Sequence, residues 1–242
     1  DKAVKEVGSG PTVVDLSKPA NLVHHEGVEE EHEHGEEATD GASASAAATA
    51  QASEAEHDEH GHDEHAEGGE GHDGDLDPHF WLDPDRMVKV AEALEASFAK
   101  IDPANANDYK AGLDKLKTAL TGVDNQYKQG FTSCQHKTFI TSHAAFGYMA
   151  ERYGLTQASI SGIDPETEPS PAEMANIKSV VEKTGVKTIF TEELVSDAPA
   201  KAIAAETGAE TSVLSPLESK PERGDYTDAM TTNLERLKSA MV

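Results

Sequence analysis

Histidine is the residue type that gives this sequence its chemistry, and it occurs in three settings. The run His57-Asp58-Glu59-His60-Gly61-His62-Asp63-Glu64-His65 places four imidazoles among carboxylates, with a glycine that lets the backbone curl around an ion. Neutral imidazoles and carboxylates together are ligands for divalent transition cations, so this run reads as a tethered collector of weak metal sites. A solvated, non-binding linker is the competing reading. His79 stands in Asp77-Pro78-His79-Phe80-Trp81, beside an aromatic pair that can wall a dry pocket. His143 follows the β-branched run Thr138-Phe139-Ile140-Thr141 and precedes a helical pattern, the place where an open α/β sheet presents ligand-binding side chains. A structural His with its nitrogens satisfied is the alternative there. Imidazole nitrogens suit Zn²⁺ at about 2.0 to 2.1 Å in a tetrahedral shell, whereas manganese favours more ligands and more carboxylates. Only neutral His binds, so capture is expected to weaken below about pH 6.

The elements that must position these residues follow from periodicity. Asp1–Val7 has the pattern of the end of an amphipathic helix, and Thr12-Val13-Val14-Asp15-Leu16 reads as a short buried strand. After Asp83-Pro84, the residues Met87, Val90, Ala91, Leu94, Phe98 and Ile101 share one helical face, with Pro84 in the first turn. Tyr109, Leu113, Leu116, Leu120, Val123 and Tyr127 continue at intervals of three and four, predicting a helix about 30 Å long. Beyond Lys137 strands and helices alternate. Strands are expected at 138–141, 158–163, 186–190 and 211–214, and helices at 144–153, from Ser170-Pro171 to Gly185, at 199–207 and from Tyr226 to Met241. That alternation predicts an α/β fold with a parallel sheet.

Composition narrows the function classes. Between Lys18 and Arg86 there is no Lys or Arg, yet ten of the twelve His fall there. The chain as a whole has a formal charge of -26, concentrated in that stretch. No basic cluster exists to displace counterions from phosphates, which argues against nucleic acid as a partner. Residues 23–76 have almost no large apolar side chains and are expected to form a disordered insertion. Cys134 is the lone cysteine, so no intramolecular disulfide can form. A small core hydrophobe is the expected role, with a soft metal ligand as the alternative. No apolar run is long enough to span a bilayer.

Two segments carry a resemblance. Asp77-Pro78-His79-Phe80-Trp81-Leu82-Asp83-Pro84 is similar to the D-P-H-x-W-L-D-P segment of the cluster A-I solute-binding proteins, the zinc and manganese receptors of bacterial ABC importers. Thr141-Ser142-His143-Ala144-Ala145-Phe146-Gly147-Tyr148, followed by Arg152-Tyr153-Gly154-Leu155, resembles a second segment of that family, and the acidic His-rich insertion resembles its zinc branch. The resemblance implies two α/β lobes with parallel sheets joined by a long rigid helix. Here that divides the chain into a partial N-terminal lobe at 1–104, a linker helix at 105–131 and a C-terminal lobe at 132–242. It implies metal held by three His and a carboxylate or water. His79 and His143 match two of those His, and the third would come from a segment ahead of Asp1. Glu166, in Ile163-Asp164-Pro165-Glu166, matches the segment from which manganese members supply a Glu, though a solvated loop charge competes. Where the family often has an Asp in L-D-P-L, this chain has Leu214-Ser215-Pro216-Leu217, so Ser215 supplies no acid.

The function expected on this basis is an extracytoplasmic zinc receptor, not an enzyme and a monomer. It would pass Zn²⁺ as cargo to the membrane subunits of an ABC permease, with His57, His60, His62 and His65 as a mobile collector. The alternatives are a manganese-binding member of the same family and a His-rich storage or buffering protein. A metallo-hydrolase is disfavoured, because no H-E-x-x-H or G-x-S-x-G occurs and no general base is placed. Glu192 and Glu193, at the end of the Ile189-Phe190 strand, either face the cleft or serve as charges leading into a helix.

Overall fold

The computed structural model describes residues 12–25 and 76–241. The expected helix end at Asp1–Val7, the body of the His-rich insertion and its four collector histidines lie outside the described residues. The order of elements is α1 (Ser17–Ala20), α2 (Pro84–Ile101), α3 (Ala106–Gly130), β1 (Thr138–Thr141), α4 (Gly147–Tyr153), β2 (Thr156–Ser159), α5 (Pro171–Thr184), β3 (Thr188–Thr191), α6 (Ala198–Thr207), β4 (Glu210–Val213) and α7 (Tyr226–Ala240). Short 3₁₀ turns at Phe80–Leu82, Pro103–Asn105 and Phe131–Ser133 punctuate the helical part.

The four strands form one sheet in the order β2-β1-β3-β4, parallel at every junction. The parallel α/β architecture read from the sequence is therefore met. Strand residues alternate between two cores, as period-two geometry requires. Phe139 and Phe190 join Tyr127, Phe131, Phe146, Met149, Leu214 and Leu234 on one face, under α3, α4 and α7. Ile140 and Ile189 join Ala158, Ile177, Val181, Ala200 and Ile203 on the other, under α5 and α6. Because β1 lies between β2 and β3, the chain reverses its direction of winding at the β1/β3 junction. Such a switch point opens a crevice at the carboxyl ends of the two strands.

Helix α3 runs 25 residues, about 37 Å at 1.5 Å per residue. It packs against α2 on one side and α7 on the other, and Tyr127 donates its hydroxyl to the Met230 carbonyl at 2.7 Å. Helix α2 begins as the sequence predicts, with Pro84 in its first turn and the Asp83 side chain accepting from Asp85 N.

One expectation is corrected. Residues 12–16 form no strand; they run as irregular chain into α1, and Val13 is exposed. A β-branched run becomes a strand only if a neighbour takes up its hydrogen bonds, and among the described residues no strand lies beside it. The segment is held instead at its far end. Arg86 Nη1 donates to the carbonyls of Ala20 and Asn21, and Asp77 N donates to Val23 O at 2.9 Å.

Candidate metal centre

Three elements deliver three side chains to one point. His79 lies just before the 3₁₀ turn at Phe80–Leu82, in a segment organised by Asp77. The Asp77 Oδ1 atom accepts from the backbone N of His79 at 2.9 Å and contacts its Nδ1 at 2.7 Å. Tyr148 donates its hydroxyl to the Asp77 carbonyl at 2.7 Å. His143 sits just past the end of β1, at the switch point. Its carbonyl accepts from Thr141 Oγ1 at 2.7 Å and from Gln157 Nε2 at 3.1 Å, and its N–H donates to Glu192 Oε1 at 3.2 Å. Glu192 follows β3, the strand across the crevice, and is buried.

Glu218 arrives from the loop between β4 and α7. Asn233 fixes the start of that loop by accepting from Ser215 N at 3.0 Å and donating to Ser215 O at 2.7 Å. Trp81 Nε1 donates to Pro216 O at 2.8 Å. Leu217 then adopts φ 57°, a left-handed conformation that a branched aliphatic residue rarely occupies. Backbone strain of this kind collects where a side chain must be aimed, and the residue aimed here is Glu218.

The geometry at the meeting point is that of a cation shell. His79 Nε2 and His143 Nε2 are 3.4 Å apart, and Glu218 Oε1 lies 3.1 Å from the first and 3.4 Å from the second. Ligands about 2.0 to 2.1 Å from a tetrahedral zinc stand about 3.3 Å from one another, so the triangle has the right edge length. His79 and His143 are 2% and 1% exposed, while Glu218 is partly open to solvent.

Each imidazole is backed by a buried carboxylate on its other nitrogen: Asp77 on His79, and Glu192 Oε2 at 2.6 Å from His143 Nδ1. The second contact is off the ring N–H direction, so it acts as a close electrostatic contact more than as an aligned hydrogen bond. A carboxylate beside Nδ1 favours the proton on that nitrogen in each ring, which would leave the Nε2 lone pair facing the shared point, the usual order of carboxylate, histidine and metal. Burial pushes the His143 pKa down, but the Glu192 and Glu218 carboxylates outweigh it and hold the ring above its ordinary value. Burial likewise pushes the Asp77 carboxyl up, and hydrogen bonds from His25 and His79 outweigh that, keeping it ionised below the usual range. A proton thus competes for His143 Nε2 at a higher pH than the unperturbed value behind the sequence expectation of about pH 6.

The sequence-predicted residues divide clearly. His79 and His143, 64 positions apart, are brought together. Glu166 is not brought to them: it is exposed on the loop after β2, where its N–H donates to Asp164 Oδ1. It lines a cavity of about 520 Å³ that His143 also lines. Ser215 carries no acid, and the carboxylate comes instead from Glu218, three residues further on. No motif pointed to Glu218; its one signal was an acid close behind the Leu214-Ser215-Pro216-Leu217 stretch. Of the two acids after β3, Glu192 faces the centre and Glu193 is exposed. Trp81 meets His79 edge-on with ring centroids 5.3 Å apart, and Phe80 lies against Trp81. Cys134 is half-buried beside the core, 3.7 Å from Gly130 O, and takes no part.

Two carboxylate-backed histidines and a glutamate thus meet at the switch point of a parallel α/β sheet, a donor set suited to a divalent cation. The chain belongs to the family described as zinc-uptake complex component A, periplasmic, whose profile matches residues 2–240. That is a family of uptake components and not of enzymes. The zinc-binding protein AdcA of Streptococcus pyogenes serotype M6 is 40% identical over 172 residues, covering 69% of this chain and 33% of that protein. The high-affinity zinc uptake system protein ZnuA of Bacillus subtilis is 38% identical over 172 residues, covering 69% of this chain and 54% of that protein. Among solved structures, the laminin-binding protein Lbp of Streptococcus pyogenes superposes with a TM-score of 0.66 at 38% identity, covering 69% of this chain and 66% of that one. The chain thus spans about a third to a half of the length of these two curated relatives.

Proposed function

We propose that this chain is the metal-holding part of an extracytoplasmic receptor that captures Zn²⁺ and hands it to the membrane subunits of an ABC permease. The observation that carries the reading is the convergence of His79 Nε2, His143 Nε2 and Glu218 Oε1 at zinc-shell spacing, with Asp77 and Glu192 behind the two rings. Two imidazoles to one carboxylate favours zinc over manganese. Three protein ligands leave one tetrahedral corner for a water or a further donor. Zinc here is cargo, so no turnover is expected of the chain, and it acts as a monomer. The division into lobes at 1–104 and 132–242, joined by 105–131, belongs to the same reading. His57, His60, His62 and His65 serve as a collector that raises the local zinc concentration without adding contacts at the centre.

Calorimetric zinc titration of the whole chain and of a chain lacking residues 30–74 tests this. One tight site should survive the deletion, while the weak sites disappear. Loss of all binding would leave the storage reading in its place. A manganese titration giving the tighter site would shift the cargo.

A further inference from the structure

We propose that His25 is a positioning residue for the metal centre: its Nδ1–H, given to Asp77 Oδ2 at 2.7 Å, orients the carboxylate that keeps His79 in the tautomer with Nε2 free for a cation. The inference rests on the zinc reading above and deepens it.

Asp77 is fully buried, and its two oxygens are divided between two histidines. Oδ1 serves the backbone N and Nδ1 of His79, and Oδ2 contacts His25. A buried carboxylate oxygen without a donor is costly, and the group would turn or draw in water to relieve it. Either response changes what His79 Nδ1 sees. If that nitrogen loses its acceptor, the ring proton is free to move to Nε2, the nitrogen that must stay bare to bind a metal.

The place of His25 is fixed independently of the centre. Its ring meets Tyr148 edge-on with centroids 4.4 Å apart. The Tyr148 hydroxyl accepts from Val23 N at 2.9 Å and donates to Asp77 O, so one phenol holds the segments before and after the insertion in register. The guanidinium of Arg86 lies over the same phenol ring, 4.3 Å from its centroid. Gly147 completes the seat, because a Cβ there would lie 2.5 Å from His25 Cγ. Only glycine leaves room for the imidazole. The far nitrogen, Nε2, is 3.7 Å from the exposed carboxylate of Glu151.

Three variants test this. His25→Phe keeps an aromatic ring against Tyr148 and removes the donor. His25→Asn returns an amide N–H near the position of Nδ1. Gly147→Ala pushes the imidazole off Asp77 while leaving both residues unsubstituted. In the zinc-free protein, ¹⁵N NMR of the His79 ring should report Nδ1–H in the wild type. It should show a shift toward Nε2–H in His25→Phe and Gly147→Ala, and recovery in His25→Asn. Zinc affinity should fall about tenfold in the first two, at the low end of the cost for groups behind metal ligands, and recover in the third. The inference is overturned if His25→Phe or Gly147→Ala keeps the wild-type tautomer and binds zinc within twofold of wild type, or if His25→Asn restores neither. A wild-type chain that binds no zinc at His79 and His143 would defeat the function proposed above, while the tautomer in the zinc-free protein would still decide the role of His25.

Discussion

Trp81 donates its indole N–H to the carbonyl oxygen of Pro216 at 2.8 Å, across 135 residues of sequence. Tyr226, the first residue of α7, donates back to Trp81 O at 2.7 Å, so the segment bearing His79 is tied both to the loop bearing Glu218 and to the helix that follows it. Trp81→Phe removes one bond and keeps most of the packing, and is expected to cost about 1 kcal/mol of stability in chemical denaturation. It should also loosen Glu218 and weaken zinc binding about tenfold by calorimetry. Trp81 is the sole tryptophan and touches a ligand ring, so wild-type emission should change on zinc addition and saturate with the tight site.

The three candidate ligands are separable from the acid that the resemblance suggested. Removing a group behind a ligand costs about 10- to 100-fold in affinity, so His79→Ala and His143→Ala should each exceed about 100-fold. Glu218→Gln keeps the shape and loses the charge, and should weaken zinc at least tenfold. Glu166→Gln should leave the affinity within twofold. A competitive chelator titration ranks all four, and a Glu166 effect as large as that of Glu218 would reverse the assignment.

Glu192 holds both the backbone N–H and the ring of His143. Glu192→Gln should therefore cost about 10- to 100-fold in zinc affinity at neutral pH, although it does not reach the shared point itself. The same titration in Glu193→Gln, an exposed position, should match wild type.

Asp124 gives a pH dependence remote from the metal. Burial raises its pKa, but Arg152 Nε at 2.8 Å and Lys128 Nζ at 2.6 Å outweigh that and hold it below the ordinary 3.8. A carboxylate depressed in the folded state contributes stability that is present above its unfolded pKa and is lost as pH falls through its folded one. Asp124→Asn should therefore be less stable than wild type by about 1 kcal/mol near neutrality, a modest figure because the cations are partly exposed. The gap should begin to narrow below about pH 4 and close only below the lowered folded pKa. Urea unfolding of the zinc-free proteins from pH 7 to pH 3 measures it; a gap that does not narrow between pH 5 and pH 3 would contradict the assignment.

Much of this was legible in the residues. Helical stripes marked α2, α3 and α5, Pro at the start marked α2, α5 and α6, Gly at the end marked α5 and α6, and alternation marked the parallel sheet. His79 and His143 stood out because a strand end and an aromatic-flanked turn are places where side chains are presented to ligands. Glu218 did not stand out, because its direction is set by a left-handed Leu217 and by Asn233 and Trp81, partners that lie elsewhere in the sequence. The acid was sought at position 215 and at Glu166, because those are the places the resemblance pointed to. Glu192 was ambiguous for a related reason: an acid after a strand can face a crevice or cap a helix, and only burial against His143 decides. Thr12–Leu16 failed as a strand because propensity cannot supply a partner.

The bond from Asp77 N to Val23 O sews together the two sides of the acidic insertion next to the residue that backs His79. Selection can therefore treat the intervening stretch as an interchangeable cassette. Its ends stay pinned at their base whatever lies between them, so its repertoire of histidines can be enriched, thinned or rewritten while the grouping of His79, His143 and Glu218 keeps its shape.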